Sequence, residues 1–313
     1  MNRSISLSVD SEFVKQDPDA LLLLAILSLL PAGTTKQNLY WWAMTVKMIP
    51  SAIAILSDAG LLVENKRENS ASPVLFVIPV VQSFMQQQHR IAEGIMRQIH
   101  SSCCEYVLAH ACRFDDPMFH KNSKALAVED TNIQSILFSS PSQHNVSSDK
   151  TMEAFIAFGW YRCDTKPNLE IASHAVMAAK ATGVVKYIAS TKWCLGQTYA
   201  NLGDHHSSYG HLQEAYQLFD VRPLSEVESQ RLGGQCGIDL VGTARMALRD
   251  CRKVVSLAQD VEKKCAALSD SVTHGRCLAL LGAVHWQQAQ QPHEALRCLD
   301  QAQIMLKAAK KNL

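Results

Sequence analysis

The sequence predicts a mainly α-helical protein in which a winged-helix domain precedes an α-solenoid of stacked helical hairpins. Three observations carry that expectation. Gly and Pro are sparse, 14 and 10 of 313 residues, and apolar β-type runs are confined to residues 61–78, so most of the chain is helical. The first ninety residues read as three helices followed by a hairpin of two short strands. Near the other end one helix signature occurs twice: Leu195-Gly196-x-x-Tyr199 before Glu214-Ala215-x-x-x-Phe219, and Leu281-Gly282-x-x-His285 before Glu294-Ala295-x-x-x-Leu299. Each places a small residue where two antiparallel helices must approach closely, beside large apolar residues one turn away.

Composition narrows the function classes. Hydrophobic residues make up 47% and charged residues 19%, which is globular rather than disordered. A net charge of +1 exerts no general pull on nucleic acid or anionic lipid. The ten cysteines are scattered, with no C-x-x-C pair and no charged-then-apolar leader, so they are expected to be reduced thiols packed in helices of a cytoplasmic protein. The apolar run Ala20–Leu30 is about half the ~20 residues a membrane span needs. It lies between Asp17-Pro18-Asp19 and Pro31-Ala32-Gly33, which makes it a buried core helix and leaves no expected membrane partner.

Residues 1–16 are expected to be disordered or partial, and the winged helix to occupy 17–90. Asp17 is the N-cap of its first helix, with Pro18 at the first helical position. Thr34 or Thr35 caps a second helix carrying Leu39, Tyr40, Trp41 and Trp42. A third runs from about Pro50 to Ala59, with Ile49, Ile53 and Leu56 inward and Gly60 in the left-handed cap position. Leu61-Leu62-Val63 and Pro73–Ile78 then flank a polar turn, Glu64–Ser72. DNA binding would require the third helix to offer donors to bases and phosphates. That helix, Ser51–Asp58, has no Lys or Arg, and Lys66 and Arg67 in the turn stand between Glu64 and Glu68. A protein-packed winged helix is therefore expected, with no nucleic-acid partner.

Leu21–Gly33, Leu56-x-x-Ala59-Gly60-Leu61-Leu62-Val63 and Val77-Ile78-Pro79-Val80-Val81-Gln82-Ser83-Phe84 resemble the winged-helix segment of NB-ARC-type STAND ATPases, the NOD-like signalling proteins. The wording looks most like the large fungal set whose C-terminal halves are tetratricopeptide (TPR)-like repeats. The resemblance implies a nucleotide-binding core ahead of this segment, a winged helix that clamps the ADP state and repeats that sense a ligand. Two departures stand against a nucleotide role. No G-x-x-x-x-G-K-[ST] occurs, so nothing can cradle a triphosphate in the P-loop manner, and no Walker B strand end precedes the segment. The family's nucleotide-contacting His, near the end of the second wing strand, corresponds to Ile78 here. The chain thus looks like the C-terminal portion of such an ATPase, as a truncated gene product or a paralogue, with no cofactor.

Linking helices are expected over 91–140, beginning with one or two long helices between Pro79 and Phe114, a break at Asp115-Asp116-Pro117, and a helix over Glu129–Phe138. The Ser-rich stretch 141–150 is the linker. Four hairpins then fill 151–313. Their first helices are Met152–Cys163, Val185–Leu202, Val227–Ala244 and Thr273–Gln288, and their second helices are Asn168–Ala181, Ser208–Phe219, Arg245–Ala267 and Pro292–Ala309. The signatures are similar to those of TPR repeats, but the anchors Gly159, Gly196, Gly237 and Gly282 lie 37, 41 and 45 residues apart, beyond the ~34 of a standard repeat. Each hairpin is apolar on both faces and must stack to bury them. Aligning the two clear repeats on their glycines places Ser190, Trp193, Gln197 and Asn201, with Arg276, Ala283, Trp286 and Gln287, on a concave protein-binding face. Trp and Arg dominate binding hot spots; alternatively, each Trp packs under the neighbouring helix.

Other chemistry is thin. His100, Cys103, Cys104, His110 and Cys112 are the densest set of metal-ligand types, but one continuous helix cannot converge two such pairs on a zinc ion. His205-His206 reads as a solvated loop. No nucleophile sits at a G-x-S-x-G elbow, and Asn145-Val146-Ser147 matches a glycosylation pattern without a secretory leader. Lys307, Lys310 and Lys311 complement a helix C-terminus. The expectation is a non-enzymatic protein–protein interaction module that takes a protein or peptide in the repeat groove and is open to self-association. The alternatives are the regulatory part of an ATP-binding protein with its core supplied in trans, and a winged-helix DNA-binding regulator.

Overall fold

The computed structural model describes residues 2–65, 73–87, 90–138, 149–220, 227–268 and 270–311. Two units divide the chain, Met1–Tyr161 and Arg162–Leu313. The first contains α1 (Asn2–Val9), α2 (Glu12–Lys15), α3 (Pro18–Leu27), β1 (Thr34–Thr35), α4 (Lys36–Trp42), α5 (Ile49–Asp58), β2 (Leu62–Asn65), β3 (Val74–Val77), α6 (Pro79–Gln87), α7 (Glu93–Ala109), α8 (Phe119–Phe138) and most of α9 (Asp149–Thr165). The second contains α10 (Leu169–Thr182), α11 (Val185–Asn201), α12 (His205–Phe219), α13 (Val227–Ala247), α14 (Cys251–Ala266), α15 (Ser271–Gln287) and α16 (Pro292–Lys311). The fold class is mainly α with one small sheet, as the sequence predicts.

In the first unit the caps form where the residue types require them. Asp17 accepts from the Ala20 amide at 2.9 Å and starts α3. Thr35, rather than Thr34, accepts from the Asn38 amide at 3.1 Å and starts α4. Leu23, Leu24, Ile26 and Leu27 of α3 are fully buried. Strands β2 and β3 pair antiparallel with Leu62 opposite Val77, and β1 adds to β3, giving the order β1-β3-β2. Gly33 turns the chain into β1 at φ +67°, where a Cβ would lie 2.4 Å from the Leu75 carbonyl oxygen. Only glycine fits there. The turn residues Lys66, Arg67 and Glu68 lie outside the described residues.

Three expectations for this unit need correction. In place of the disordered or partial segment expected at 1–16, residues 2–9 and 12–15 form α1 and α2, with Val9 and Val14 buried at 1% and 0% exposure. Arg90 grips Asp10 with two bonds of 2.8 and 2.9 Å, closing α1 against the end of α6. The guanidinium beside Asp10 also holds that carboxyl well below its usual range. Residues 91–138 do not act as linking helices, since α7 packs on α3, α4 and α8 inside this unit. Finally, α8 begins at Phe119, ten residues before the expected start at Glu129.

Glu129 is the residue at which the sequence places the start of this helix. It is instead fully buried in mid-helix. Its carboxylate accepts from Thr34 Oγ1 at 2.7 Å, Asn38 Nδ2 at 2.8 Å and Asn132 Nδ2 at 2.6 Å. Asn132 continues the network, donating to the Gly33 carbonyl at 2.7 Å and accepting from the Ala32 amide at 3.0 Å. Side chains one turn apart on α8 thus clamp the turn between α3 and α4, 95 residues away in sequence. A buried carboxylate is tolerated only with its lone pairs filled.

The second unit is a run of antiparallel hairpins in which each second helix also packs on the first helix of the next hairpin. Asn168 caps α10 on the Ile171 amide at 3.1 Å, and Gly183 ends it at φ +70°. Two boundaries differ from expectation. His205 and His206 form the first turn of α12 rather than a loop, because Asp204 caps the Ser207 amide at 3.0 Å. Helix α13 continues through Arg245 to Ala247. The second helix of that hairpin starts only at Cys251, where Asp250 accepts from the Arg252 and Lys253 amides at 3.0 and 3.3 Å. The linker expected at 141–150 lies outside the described residues as far as residue 148, and Asp149 and Lys150 already belong to α9.

The anchors are close-approach sites. A Cβ on Gly196 would meet Leu212 Cγ at 2.7 Å, and one on Gly282 would meet Leu299 Cγ at 2.9 Å. These contacts also correct the alignment of the signatures. Leu212-x-x-Ala215 corresponds to Leu299-x-x-Ala302, so Ala215 and Ala295 are not equivalent positions, and Ala295 corresponds to Ser208. All four small residues are buried.

Two measurements follow. Glu129→Gln puts an amide NH2 against groups that already donate, and is expected to lower stability by about 2 kcal/mol in urea unfolding. Gly196→Ala overpacks the contact with Leu212 and is expected to cost about 1–3 kcal/mol.

Candidate functional site

The candidate site is the face made by the first helices of successive hairpins, α11, α13 and α15. Helix α13 packs against both others, and three side-chain links set the helices side by side. Lys186 Nζ lies 3.8 Å from Glu228 of α13. Trp193 Nε1 donates to Asp239 Oδ2 at 2.8 Å. Arg245 of α13 donates to Gln287 of α15. The first and third links pair like ends of the helices, so the helices run parallel and the face is preformed.

The eight expected residues divide into three groups. Ser190 and Trp193 are buried at 6% and 3% exposure. Trp193 lies under α13, its ring 6.2 Å from Phe219 in an edge-on contact, and does not present itself to a ligand. Gln197 and Ala283 are half-buried on the face. Asn201 is exposed and donates to the Cys163 carbonyl at 2.9 Å. Arg276, Trp286 and Gln287 are exposed. Arg231 and Gln235 of α13, exposed and half-buried respectively, extend the same face. They escaped the sequence reading because the third hairpin's signature is divergent.

The contrast between the two tryptophans has a simple cause. Gly196 and Gly282 are equivalent, so the counterpart of Trp193 is Ala279, three residues before its glycine. Trp286 lies two turns beyond Ala279 on the same stripe of α15. That stripe faces the next first helix. In α11 it is covered by α13, whereas Trp286 is 62% exposed.

The two thiols of α7 are held in unreactive states. Cys103 and Cys104 are buried, and burial pushes both thiols up. The same cause pulls the neighbouring His100 down, with its Nδ1 3.8 Å from Cys104 Sγ. His110 Nδ1 is 2.8 Å from the Tyr106 carbonyl oxygen, turned to its own helix. A nucleophilic or metal-binding thiol needs the opposite shift. Among the described residues, no group of three or more His, Cys, Asp or Glu is placed to hold a metal ion. One thiol pair was not visible in the sequence. Cys265 and Cys277 both lie in the core between α14 and α15, and their mutual interaction holds Cys265 low and Cys277 high. No described helix is long and apolar enough to cross a membrane.

No protein-family model matches the chain, and no curated protein matches it. The solved structures similar to it include two of low identity. BtubC (BKLC) from P. vanneervenii aligns at 15% identity and TM-score 0.48, over 72% of this chain and 88% of that one. The Signal Transduction ATPase with Numerous Domains (STAND) protein with a tetratricopeptide repeat sensor, PH0952 from Pyrococcus horikoshii, aligns at 12% identity and TM-score 0.41. That match covers 95% of this chain and 46% of PH0952, so the chain spans less than half its length. Likeness of this degree assigns neither a family nor an activity.

Trp193→Phe keeps the buried ring and removes its donor, leaving Asp239 without that bond. It is expected to lower stability by about 1–2 kcal/mol, whereas Trp286→Ala changes it by less than about 0.5 kcal/mol. Thermal unfolding of the two variants side by side checks the contrast.

Proposed function

We propose that the protein is a non-enzymatic interaction module whose helical array takes a protein or peptide along the face of α11, α13 and α15. The observation that carries this reading is the preformed surface itself. Three polar links pin the parallel helices, and Gln197, Arg231, Gln235, Arg276 and Gln287 stand along them. Amide side chains both donate and accept, so they suit the backbone of a bound segment, and arginines suit its carboxylates. A pre-ordered face spares the ligand the cost of ordering its receptor.

The first unit supports a narrower version. Its segments Leu21–Gly33, Leu56–Val63 and Val77–Phe84 resemble the winged helix of NB-ARC-type STAND ATPases, and the sequence carries no P-loop motif. In this version the array is the sensor half of such a signalling protein, and the winged helix passes ligand binding to a nucleotide-binding core by a change in packing. Glu129 and Asn132 give the unit a polar clamp suited to that role, since such networks have discrete made and broken states.

The test is a pull-down with the full chain beside Gln197→Ala/Arg276→Ala. The double variant is expected to lose at least about tenfold in capture of any partner, with its folding unchanged. If it kept every partner at wild-type yield, the groove reading would be wrong. ATP hydrolysis by the purified chain would replace the non-enzymatic reading with an enzymatic one.

A further inference from the structure

Several cations of the repeat array are paired. Lys264 meets Asp220 at 3.0 Å, Lys263 meets Asp260 at 3.8 Å, and Arg297 meets Glu294 at 2.8 Å. The turn between α13 and α14 departs from this pattern. Residues 245–253 hold Arg245, Arg249, Arg252 and Lys253 against one carboxylate, Asp250, in a chain whose net charge is only +1. Arg249, Arg252 and Lys253 are exposed and Arg245 is half-buried. None of the four has an ion-pair partner among the described residues, since Arg245 donates to the uncharged Gln287.

The carboxylates nearby are already committed. Asp250 accepts from the Arg252 and Lys253 amides at 3.0 and 3.3 Å, so its charge offsets the positive end of the α14 dipole. The turns on either side lie at the same end of the array, because the first helices run parallel. In one of them Asp204 is bound to the Ser207 amide at 3.0 Å. The other, residues 288–291, has no acidic residue, and Glu294 beyond it is held by Arg297. A concentration of like charge without internal relief attracts an oppositely charged partner.

An acidic stretch of polypeptide suits the turn best. Guanidinium groups take carboxylates in paired hydrogen bonds, and the link from Arg245 to Gln287 joins the turn to the face of α11, α13 and α15. Nucleic acid suits it less. Residues 245–253 contain no aromatic ring to stack on a base, and phosphate neutralisation calls for a wider basic stripe. A bilayer suits it less again, because Met246 is the one large apolar side chain well exposed among these residues, which leaves no apolar face to insert.

We propose that the α13–α14 turn docks an acidic stretch of the protein ligand, flanking the portion held along α11, α13 and α15. This docking rests on the reading of that face as a binding groove. The turn steers the encounter by charge, and the amides of the face hold the segment that follows.

Fluorescence anisotropy with a fluorescein-labelled octaglutamate peptide tests the turn by itself. The wild-type chain is expected to bind it with a dissociation constant on the order of a hundred micromolar at about 20 mM salt, and severalfold more weakly at about 150 mM. Arg249→Glu/Arg252→Glu is expected to weaken binding at least about tenfold. Both side chains are exposed, and a Glu suits the first turn of α14; circular dichroism checks that the variant folds. Lys121→Glu/Lys124→Glu makes the same change in net charge at exposed positions of α8 and should leave binding within about twofold. A wild type that ignores octaglutamate overturns the proposal, as does a turn variant that loses no more than the α8 variant. Octauridylate or phosphatidylserine vesicles binding at least about tenfold more tightly than octaglutamate would overturn it too, in favour of a nucleic-acid or membrane surface. Gln197→Ala/Arg276→Ala is expected to bind octaglutamate like the wild type. A failed titration therefore leaves the groove reading standing, and a failed pull-down with octaglutamate binding intact removes the groove and not the turn.

Discussion

The second unit depends on how closely two helices can approach at a glycine. At Gly196 and Gly282 the partner leucine occupies the space that any side chain would need. That contact brings the two helices of a hairpin together along their length and leaves the apolar stripe of the first helix free to meet the next hairpin. Gly237 applies the same constraint between Tyr216 and Val261, so it joins neighbouring hairpins as well as the helices of one. Parallel alignment of α11, α13 and α15 follows from this repeated geometry, and the face they present follows from the alignment.

A stacked array has no single centre, and this determines where its chemistry can lie. Each hairpin spends its apolar residues on its neighbours, as with Trp193 under α13 and the shared core of Val241, Val261, Cys277 and Leu281. Polar groups remain along the face of α11, α13 and α15, which is rich in amides and arginines and suits a ligand that hydrogen-bonds.

The first unit solves a different problem. Its sheet is too small to bury much, and α3 is apolar nearly all round, so it needs cover on several sides. Helix α7 supplies part of that cover, with Tyr106 packed on Trp41 and Trp42 at 5.4 and 5.8 Å. Helix α8 packs on α7 with Leu126, Ile133 and Leu137 buried, and Glu129 and Asn132 bond it to the turn after α3. A buried carboxylate is costly unless fully bonded, so this clamp tolerates little displacement.

Local signals in the sequence were enough to determine the helices, their caps and the close-approach glycines. Asp17, Thr35, Asn168 and Gly60 act within one turn of themselves, and the repeated Leu-Gly signature reports a contact that each hairpin makes within itself. The ends of α12 and α13 were missed although Asp204 and Asp250 were present as caps, because neighbouring good helix formers and a His-His pair masked them. Burial of Glu129, the hydrogen bond from Trp193 to Asp239 and the exposure of Trp286 were decided only by the tertiary structure. The first two depend on partners 95 and 46 residues away in the chain. Residue type and spacing record what a side chain can do within its own helix; which helix lies beside it is settled by packing.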